Sequence, residues 1–561
     1  MTSDYRFKHT HPTLGRIAGI KLSKDIIQFR SIPYALTAQR FARSVVRSTL
    51  PVQGKENQGY HNAVDYGPCS IQALDSFETD VRWNQLPPDA KDRYQPQSED
   101  CLNITLTVPL EALQDTTRGI PFVVFIHGGA FVIGAGDRGY YDPLRFCETA
   151  IRAGRPLGFA SINYRLGALG FMHSPEVEDL MPPNNGLYDQ LNAFAWLRAF
   201  LPGFGGDPSN ITAIGQSAGA ASLSLHNSLP RKEPLHRRSI VLSGSSVVLV
   251  TMNPEQHHAE FLHQAAKLGI PSKGRDARDI ALDLIRTPVD DIRDLKMVGA
   301  LCSRSKLIPS DDWATMWHAR HAPPNSWLES QIISSCTYDG SISYMIALGQ
   351  KRKGLAKVFE AICRNRMKNP TALLDIYNIS RDDPDPEALE KICQIVTDLG
   401  FTTAALSHAM GAQLSNVDTF MQLFDIPNPF PGLLEPGKFA THTWDIVALL
   451  GPYDHLVPAQ SLKAIQQWRE TIIEYCHSGN FPCDPWTSAG LSMLKESRTG
   501  LECQGKDEMA AARVNKLMQL AEAEGGEGGA DMLWEEVVRF FLKTGSTRYA
   551  HEAEELLSKT V

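Results

Sequence analysis

Short apolar runs alternate with amphipathic stretches between about residues 119 and 250. Runs at 121–126, 158–163 and 211–214 are mostly apolar and predict buried β-strands. Segment 186–200 carries its apolar residues at helical spacing, which predicts a helix with one buried face. Alternation of strands and helices is typical of a parallel sheet covered by helices, so the chain is predicted to be an α/β protein.

The rest of the chain is predicted to surround that sheet with helices. Segments 253–330 and 347–415 are mostly helical in pattern, with interspersed charges, and are interpreted as helical cap or lid insertions. A further strand is predicted at 420–426. The tail, about 505–561, is predicted to be helical and variable, interrupted by the flexible sequence GGEGG. We therefore expect a single domain over residues 1–561.

Composition supports a globular protein and narrows its partners. Hydrophobic residues make up 43% of the 561 positions and charged residues 21%, enough to build a large core. The net charge is -8 and no basic cluster occurs, so a nucleic-acid partner is not expected. The chain shows neither a secretory signal pattern nor a long uninterrupted apolar run, so we expect no membrane span. The cytoplasm is the expected compartment, with secretion as the alternative.

Candidate chemistry starts at the pattern G-x-S-x-G, which runs from Gly215 through Gln216, Ser217 and Ala218 to Gly219. A strand is predicted just before Ser217 and a helix just after it. A sharp turn from strand to helix strains the backbone of the serine and exposes its Oγ above the sheet. We therefore predict Ser217 to be a nucleophile. An ordinary serine at a glycine-rich strand end is the alternative.

A second candidate is the sequence HGGAF at 127–131, which follows the strand predicted at 121–126. Paired glycines permit the tight bend that lets several backbone N–H groups converge on one oxygen. We predict an oxyanion hole formed by the N–H groups of Gly129, Ala130 and Ala218. A plain glycine turn is the alternative.

These motifs belong to longer blocks that together resemble the type-B carboxylesterase and cholinesterase family of α/β-hydrolases. The blocks are SIPYA (31–35), SEDCLNITLTVP (98–109), HGGAF (127–131), NYRLGALGF (163–171), NNGLYDQLNAFAWL (184–197) and FGGDPSNITAIGQSAGA (204–220). The chain is most similar to intracellular, fungal-type carboxylesterases, and the resemblance is weakest in the lid segments and the tail. It implies the α/β-hydrolase fold, with a central, mostly parallel sheet flanked by helices.

The resemblance also implies the other two members of a catalytic triad. The acid of the family follows the nucleophile by about 120 residues, and Asp339 in QIISSCTYDGS occupies that place. Many relatives have Glu there, so Asp339 is a departure, and a structural Asp that caps a turn is the alternative. The histidine stretch matches KFATHTWDIVALLG, which indicates His442, with Asp445 behind it and His455 as the nearest competitor. The order Ser, acid, His is the one this fold requires.

The implied activity is hydrolysis of carboxylic esters through an acyl-enzyme, with no metal and no organic cofactor. Relatives that hydrolyse choline esters carry Glu just before the nucleophile, whereas this chain has the neutral Gln216. We therefore expect a neutral, hydrophobic ester or lactone as the small-molecule substrate, in a role such as secondary metabolism. Trp83 and Phe131 are candidate gorge residues, and a cation–π site at Trp83 is an alternative.

Several alternatives remain open on the sequence alone. Acyl transfer to an alcohol or amine would use the same triad. A catalytically inactive, cholinesterase-like binding protein is a second alternative, although such relatives have typically lost a triad residue. The resemblance pairs Cys69 with Cys101 in a disulfide, which a cytoplasmic protein would keep reduced. A monomer or a loose homodimer is expected.

Overall fold

A 13-stranded mixed sheet forms the centre of the molecule among the described residues. The computed structural model describes residues 5–51, 59–87, 96–249, 251–293, 295, 301–343, 353–486, 493–497, 500–504 and 513–543. The strands are β1 (Arg6–His11), β2 (Gly15–Lys21), β3 (Ile26–Pro33), β4 (Ala35–Thr37), β5 (Ser44–Val46), β6 (His61–Asn62), β7 (Asn103–Pro109), β8 (Ile120–Ile126), β9 (Gly158–Ile162), β10 (Gly206–Gln216), β11 (Arg238–Leu242), β12 (Thr251–Met252), β13 (Leu301–Cys302), β14 (Ser330–Cys336), β15 (Asp418–Phe424), β16 (Met493–Ser497) and β17 (Gly500–Gln504).

The central strands of this sheet run parallel and its two edges are antiparallel. The strand order is β1-β2-β3-β7-β9-β8-β10-β11-β14-β15-β16-β17, and β6 pairs with β2. All neighbours from β9 to β16 are parallel, whereas β1, β2, β3 and β7 add antiparallel pairs at one edge and β17 at the other. Because parallel strands end at the same edge of a sheet, the loops after β8, β10 and β14 lie near one another.

Helices cover both faces of the sheet. They are α1 (Ser76–Trp83), α2 (Leu110–Gln114), α3 (Leu144–Arg152), α4 (Gly167–Phe171), α5 (Asn185–Phe200), α6 (Ala218–Ser228), α7 (Pro254–Lys267), α8 (Ala277–Arg286), α9 (Val289–Arg293), α10 (Met316–His321), α11 (Ser341–Ser343), α12 (Leu355–Arg366), α13 (Pro370–Ile376), α14 (Asp385–Val396), α15 (Ala404–Ala412), α16 (Trp444–Leu450), α17 (Ala459–Ser478), α18 (Arg513–Gly525), α19 (Gly529–Met532) and α20 (Phe540–Lys543). Two further segments, Thr397–Thr403 and Leu533–Arg539, are π-helical.

The predicted strands and the predicted helix are present with small shifts of their ends. Strands β8, β9 and β15 and helix α5 each differ by at most two residues at either end from the apolar segments that predicted them. Strand β10 is longer than its apolar run, because Gly206 also pairs with Ile120 of β8. A register irregularity separates this pair from the regular pairing that begins at Ile211. These elements confirm the α/β prediction, since the buried runs pair in parallel as expected.

The segments interpreted as lid insertions contain most of the helices that lie outside the alternating β/α centre. Helices α7 to α10 fall within 253–330. Strand β13 also lies in this segment and pairs in parallel with β12, which lies just before it, and this short pair was not predicted. Helices α12 to α15 fall within 347–415 and share a hydrophobic cluster with the tail helices. The sequence GGEGG separates two tail helices, as predicted: it contains the end of α18, a short 3₁₀ turn and the start of α19. Gly529 permits this packing, because a Cβ there would lie 1.7 Å from the Ala521 carbonyl oxygen.

The cysteines of the described residues are almost all buried thiols. Cys69 and Cys101 are thiols in this structure, so the disulfide implied by the family resemblance is not formed. Burial raises the pKa of Cys101 to about 12, which keeps this thiol protonated and unreactive. Cys483 is disulfide-bonded, which the sequence did not predict. In the part of the chain that the structure describes, no helix combines the length and apolar character that a membrane crossing needs.

Candidate active site

Ser217 lies in a strained turn between β10 and α6. Its backbone has φ 54° and ψ -121°, a conformation that residues other than glycine rarely adopt. A Cβ at Gly215 would lie 2.3 Å from the Gly219 carbonyl oxygen, and a Cβ at Gly219 would lie 2.0 Å from that of Ile126. The turn therefore needs glycine on both sides, as the motif predicted. Ser217 remains partly exposed, with α6 beginning at the next residue.

A continuous chain of hydrogen bonds joins Ser217 to the predicted histidine and acid. The Oγ of Ser217 lies 2.9 Å from Nε2 of His442, and Nδ1 of His442 lies 2.8 Å from Oδ1 of Asp339. Since Nδ1–H donates to the carboxylate, Nε2 is left to accept the proton of the serine hydroxyl. His442 is 2% exposed and Asp339 is fully buried, so water does not compete for these bonds.

Backbone groups orient both members of the His442–Asp339 pair. The second carboxylate oxygen of Asp339 accepts the N–H of Cys336 at 2.8 Å. The N–H of His442 donates to the Ser341 hydroxyl at 2.9 Å, and an isolated bridge joins Tyr338 to Thr441. The loop after β14 and the loop before α16 are thus fastened together on either side of the imidazole. This arrangement fixes the ring and gives each carboxylate oxygen of Asp339 a hydrogen-bond donor.

The predicted oxyanion loop lies directly against the nucleophile. A Cβ at Gly128 would lie 2.8 Å from Cβ of Ser217, and a Cβ at Gly129 would lie 2.0 Å from the Ile133 carbonyl oxygen. Gly129 has φ 94° and Ala130 has φ 52°, so the chain turns sharply at both residues. Both residues are partly exposed, beside the N-terminus of α6, where Ala218 is the first helical residue. The loop therefore approaches the nucleophile at Gly128, and the oxyanion hole formed by Gly129, Ala130 and Ala218 stays a prediction.

His127 holds this loop through a hydrogen bond and a ring contact. Its Nδ1–H donates to the Gly128 carbonyl oxygen at 2.8 Å, and its ring stacks on Tyr164 with 4.5 Å between centroids. The Tyr164 hydroxyl donates to the His127 carbonyl oxygen at 2.8 Å. Burial lowers the pKa of His127 to about 4, so the ring is neutral at physiological pH. His127 is therefore a structural residue of the loop.

The three candidate gorge residues have different surroundings in the structure. Gln216 lies beside the triad, with its Nε2 at 3.4 Å from His442 Nε2. Phe131 is fully buried and packs on Phe171 at 4.7 Å between ring centroids. Its backbone φ is 61°, and a gorge role for this residue stays a prediction. Trp83 is partly exposed at the end of α1, and a gorge role for it stays a prediction. His455, the competing histidine, is exposed in a 3₁₀ turn.

A second buried carboxylate lies near the triad, and the sequence did not assign it a role. Asp445 is fully buried in α16, and its Oδ2 accepts the Ser243 hydroxyl at 2.8 Å. Burial, and then the charge of Asp339, raise the pKa of Asp445 to about 6. Ser243 follows β11, and the next residue, Gly244, lies so close that its Cβ would be 2.3 Å from the Ser217 carbonyl oxygen. Asp445 was visible in the histidine stretch, but its partner is 202 residues away.

Phe401 is a further neighbour of the triad that sequence patterns missed. Its ring lies 5.3 Å from the His442 ring, centroid to centroid, at an angle of 60°. Phe401 belongs to the π-helical segment between α14 and α15, and 7% of its surface is exposed. No local motif marks this position, because an apolar residue in a buried helix is ordinary. Among the described residues, no group of three or more His, Cys, Asp or Glu side chains is arranged to hold a metal ion.

Comparisons with known proteins agree with this fold and with the family resemblance. The solved structure of a PNB esterase superposes with a TM-score of 0.67 at 21% identity, covering 92% of this chain and 100% of that one. A thermophilic PNB esterase gives a TM-score of 0.65 at 22% identity, covering 91% and 99%. At this identity the likeness shows the fold, and it identifies the mixed sheet and its helices as an α/β-hydrolase fold.

Sequence comparison identifies the family within that fold. The model of the carboxylesterase family matches residues 8–463, and the chain belongs to that family. A mouse cholinesterase is 35% identical over 242 residues, 41% of this chain and 36% of that protein. A para-nitrobenzyl esterase of Bacillus subtilis is 36% identical over 202 residues, 36% of this chain and 37% of that protein. The chain thus spans little more than a third of the length of these two relatives.

Proposed function

We propose that the protein hydrolyses carboxylic esters through Ser217, His442 and Asp339. The observation that carries the proposal is the unbroken line of hydrogen bonds from the buried Asp339 through His442 to the partly exposed Ser217 hydroxyl. A serine, a histidine and a carboxylate in this order and at these distances form an activated nucleophile. Membership of the carboxylesterase family supports the same chemistry.

The first half of the reaction acylates the serine. His442 Nε2 takes the hydroxyl proton while Ser217 Oγ forms a bond to the ester carbonyl carbon, and Asp339 stabilises the resulting imidazolium. The carbonyl oxygen becomes negative and accepts hydrogen bonds from the N–H groups of Gly129, Ala130 and Ala218. Each such donor contributes about 3 kcal/mol in comparable enzymes. His442 then gives its proton to the alkoxy oxygen, the C–O bond breaks, and the alcohol departs.

The second half restores the enzyme. Water gives a proton to His442 and its oxygen attacks the acyl carbon, so that the acid leaves and Ser217 regains its proton. If an alcohol or amine enters in place of water, the same steps transfer the acyl group. Neither half consumes a cofactor.

The substrate is proposed to be a neutral, hydrophobic ester or lactone. Gln216 is 1% exposed and contributes no charge next to His442, and both neighbouring carboxylates are fully buried. A cationic alcohol group would therefore gain little electrostatic attraction at the nucleophile. Neutral p-nitrophenyl butyrate should be hydrolysed with a higher kcat/KM than the cationic ester butyrylthiocholine. A clear preference for the cationic ester would contradict this substrate class.

The decisive test is the release of p-nitrophenol from acetate, butyrate and octanoate esters by the wild type and by Ser217→Ala. We expect turnover that depends on acyl length and that is reduced to background in the variant, because no other side chain replaces the nucleophile. Ser224→Ala is a matched control: this serine lies two turns along the same helix and bonds to the Ala220 carbonyl oxygen. It should retain wild-type activity.

Other outcomes distinguish the alternatives. A folded wild type with neither turnover nor an acyl-enzyme burst would favour the binding-only protein. A burst followed by faster turnover with added alcohol, and by an ester product in place of the acid, would favour acyl transfer.

Asp339→Asn tests the role of the acid. An asparagine has one acceptor oxygen, and the N–H of Cys336 at 2.8 Å already needs it. The amide N–H group would then face His442 Nδ1 and force the tautomer that cannot accept the serine proton. We expect kcat for p-nitrophenyl butyrate to fall by about 10⁴-fold with little change in KM. A fall of less than about tenfold would assign Asp339 to structure alone.

A further inference from the structure

The tail, which lies beyond the region matched by the family model, reaches toward the candidate triad. The matched region ends at residue 463, whereas the tail helices begin at Arg513. The side chains of the tail meet the π-helical segment Thr397–Thr403, which carries Phe401 against His442. π-helical turns are less stable than α-helical ones and occur frequently at functional sites, where surrounding contacts hold them.

The N-terminal end of this π-helical segment is hydrogen-bonded to the turn that carries Asp339. The N–H of Gly340, directly after Asp339, donates to the Thr397 hydroxyl at 2.8 Å. A Cβ at Gly340 would lie 1.8 Å from the Cys393 carbonyl oxygen, so the end of α14 presses on that turn. A displacement of the segment would therefore also move the backbone next to Asp339.

An ion pair with the tail holds Asp398, the second residue of the π-helical segment Thr397–Thr403. Arg513 binds the carboxylate of Asp398 through Nε at 2.5 Å and Nη2 at 3.2 Å. Tyr377 and Gln394 donate to the same carboxylate at 2.8 Å and 2.9 Å. The Asp398 side chain is only 4% exposed, so loss of the arginine would leave a buried, uncompensated negative charge.

A tail tryptophan packs on the centre of the same segment. A Cβ at Gly400 would lie 2.5 Å from Cη2 of Trp534, so the indole rests directly on the backbone beside Phe401. Trp534 is 5% exposed, and the Arg539 guanidinium lies 5.6 Å from its ring centroid. Arg539 also donates to the carbonyl oxygens of Val247 and Leu249 at 3.4 Å and 3.2 Å.

We infer that Arg513 and Trp534 are positioning residues that hold the π-helical segment, and through it Phe401, against the imidazole of His442. The inference rests on the proposed function for its kinetic consequence. The tail would thus be part of the apparatus that orients the general base, although it touches no reacting atom. Loss of the tail contacts should change the rate of acylation for each correctly folded molecule, and not only the fraction of molecules that fold.

The test compares Arg513→Gln and Arg513→Lys with Glu536→Gln. Glu536 is the control, because it is an exposed tail residue that pairs with Arg366 of α12 and not with a residue of Thr397–Thr403. The burst of p-nitrophenol with p-nitrophenyl butyrate gives both quantities: its time course gives the acylation rate constant of each active site, and its amplitude counts the active sites. We expect Arg513→Gln to lower it at least about tenfold, since misplacements near 1 Å can cost a hundredfold. Arg513→Lys should recover part of the rate, and Glu536→Gln should match the wild type.

A second readout does not need turnover. The proton on His442 Nδ1, bonded to Asp339, should give a low-field NMR signal that shifts or broadens in Arg513→Gln and is unchanged in Glu536→Gln. A wild-type rate per site together with an unchanged signal in Arg513→Gln would overturn the inference. If the wild type shows neither turnover nor a burst, the proposed function fails, and the NMR comparison still decides the inference.

Gly400→Ala covers the case in which Arg513→Gln does not fold. The added methyl group presses on Trp534 and leaves the ion pair intact. Gly400→Ala should lower the acylation rate per site, as Arg513→Gln should. A wild-type rate in Gly400→Ala would also overturn the inference.

Discussion

At the scale of single residues, two buried aspartates near one histidine have different surroundings. Asp339 receives hydrogen bonds from His442 and from the N–H of Cys336. Asp445 receives the Ser243 hydroxyl and the N–H of Ile446, both at 2.8 Å, and within the described part of the chain it forms no salt bridge. Burial raises the pKa of Asp445 to about 6, and the nearby charge of Asp339 adds to the effect. The ionised form of Asp445 is therefore unfavourable in the folded protein.

Replacing Asp445 by Asn should make the protein more stable, and the gain should grow with pH. An unfolded aspartate has a pKa of about 3.9, so a folded value near 6 costs the wild type about 3 kcal/mol once both states are ionised. The contribution of Asp445 to the stability of the wild type is present at about pH 4 and is lost as the pH rises through 6. Thermal unfolding of both proteins at pH 4.5 and pH 8 measures the difference, which should be several-fold larger at pH 8. A difference that is the same at both pH values would show that Asp445 is not the titrating group.

At the scale of elements, the nucleophile turn depends on backbone contacts between neighbouring strands and helices. Gly219 lies in the first turn of α6, where it touches the end of β8 at the Ile126 carbonyl oxygen. Gly244 occupies a similar position after β11, against the backbone of Ser217. These contacts explain why Ser217 keeps its strained backbone conformation. The end of β8, helix α6 and the residues after β11 pack around the turn and exclude a relaxed conformation.

Gly219→Ala should therefore destabilise the protein, although alanine normally favours a helix over glycine by about 1 kcal/mol. The new Cβ would lie 2.0 Å from a backbone oxygen, and backbone of the central sheet cannot move away without cost. We expect a lower midpoint of thermal unfolding and loss of activity in the p-nitrophenyl butyrate assay. Gly528→Ala is the control, since nothing lies within 4 Å of its Cβ position and its φ is -89°. Equal midpoints for the two variants would refute the steric argument.

At the scale of the whole molecule, the tail completes a hydrophobic cluster that the lid helices cannot close alone. Buried residues of α12 and α14 pack with Leu517, Trp534 and Phe541 of the tail. Tail side chains also bind the ends of lid helices: Asp531 accepts the N–H groups of Met316 and Trp317 at 2.7 Å and 2.9 Å. The lid segments and the tail therefore form one packed unit.

Leu517→Ala should test this packing. Leu517 is fully buried, and removal of a buried leucine side chain typically costs about 2–5 kcal/mol. The neighbouring Lys516 is exposed, so Lys516→Ala should change stability by less than about 0.5 kcal/mol. Urea unfolding followed by tryptophan fluorescence measures both. Equal stability of the two variants would show that the tail does not share the core of the lid.

The sequence by itself determined the features of this protein that depend on neighbouring residues. A strained serine turn needs glycines two positions away, and a bent oxyanion loop needs adjacent glycines, so local sterics made both visible. Continuous apolar runs predicted the central strands, because strands buried on both faces of a parallel sheet are apolar throughout. Asp339 and His442 were found because the family resemblance supplied their local motifs, and the structure brings both side chains to Ser217.

Only the tertiary structure decided which distant segments meet. Ser243 and Asp445 are 202 positions apart, and Arg513 and Asp398 are 115 apart, so no local pattern could pair them. The burial of Phe131 likewise depends on a partner ring supplied by Phe171. Such contacts arise from long-range packing, in which the position of each side chain depends on every element that surrounds it.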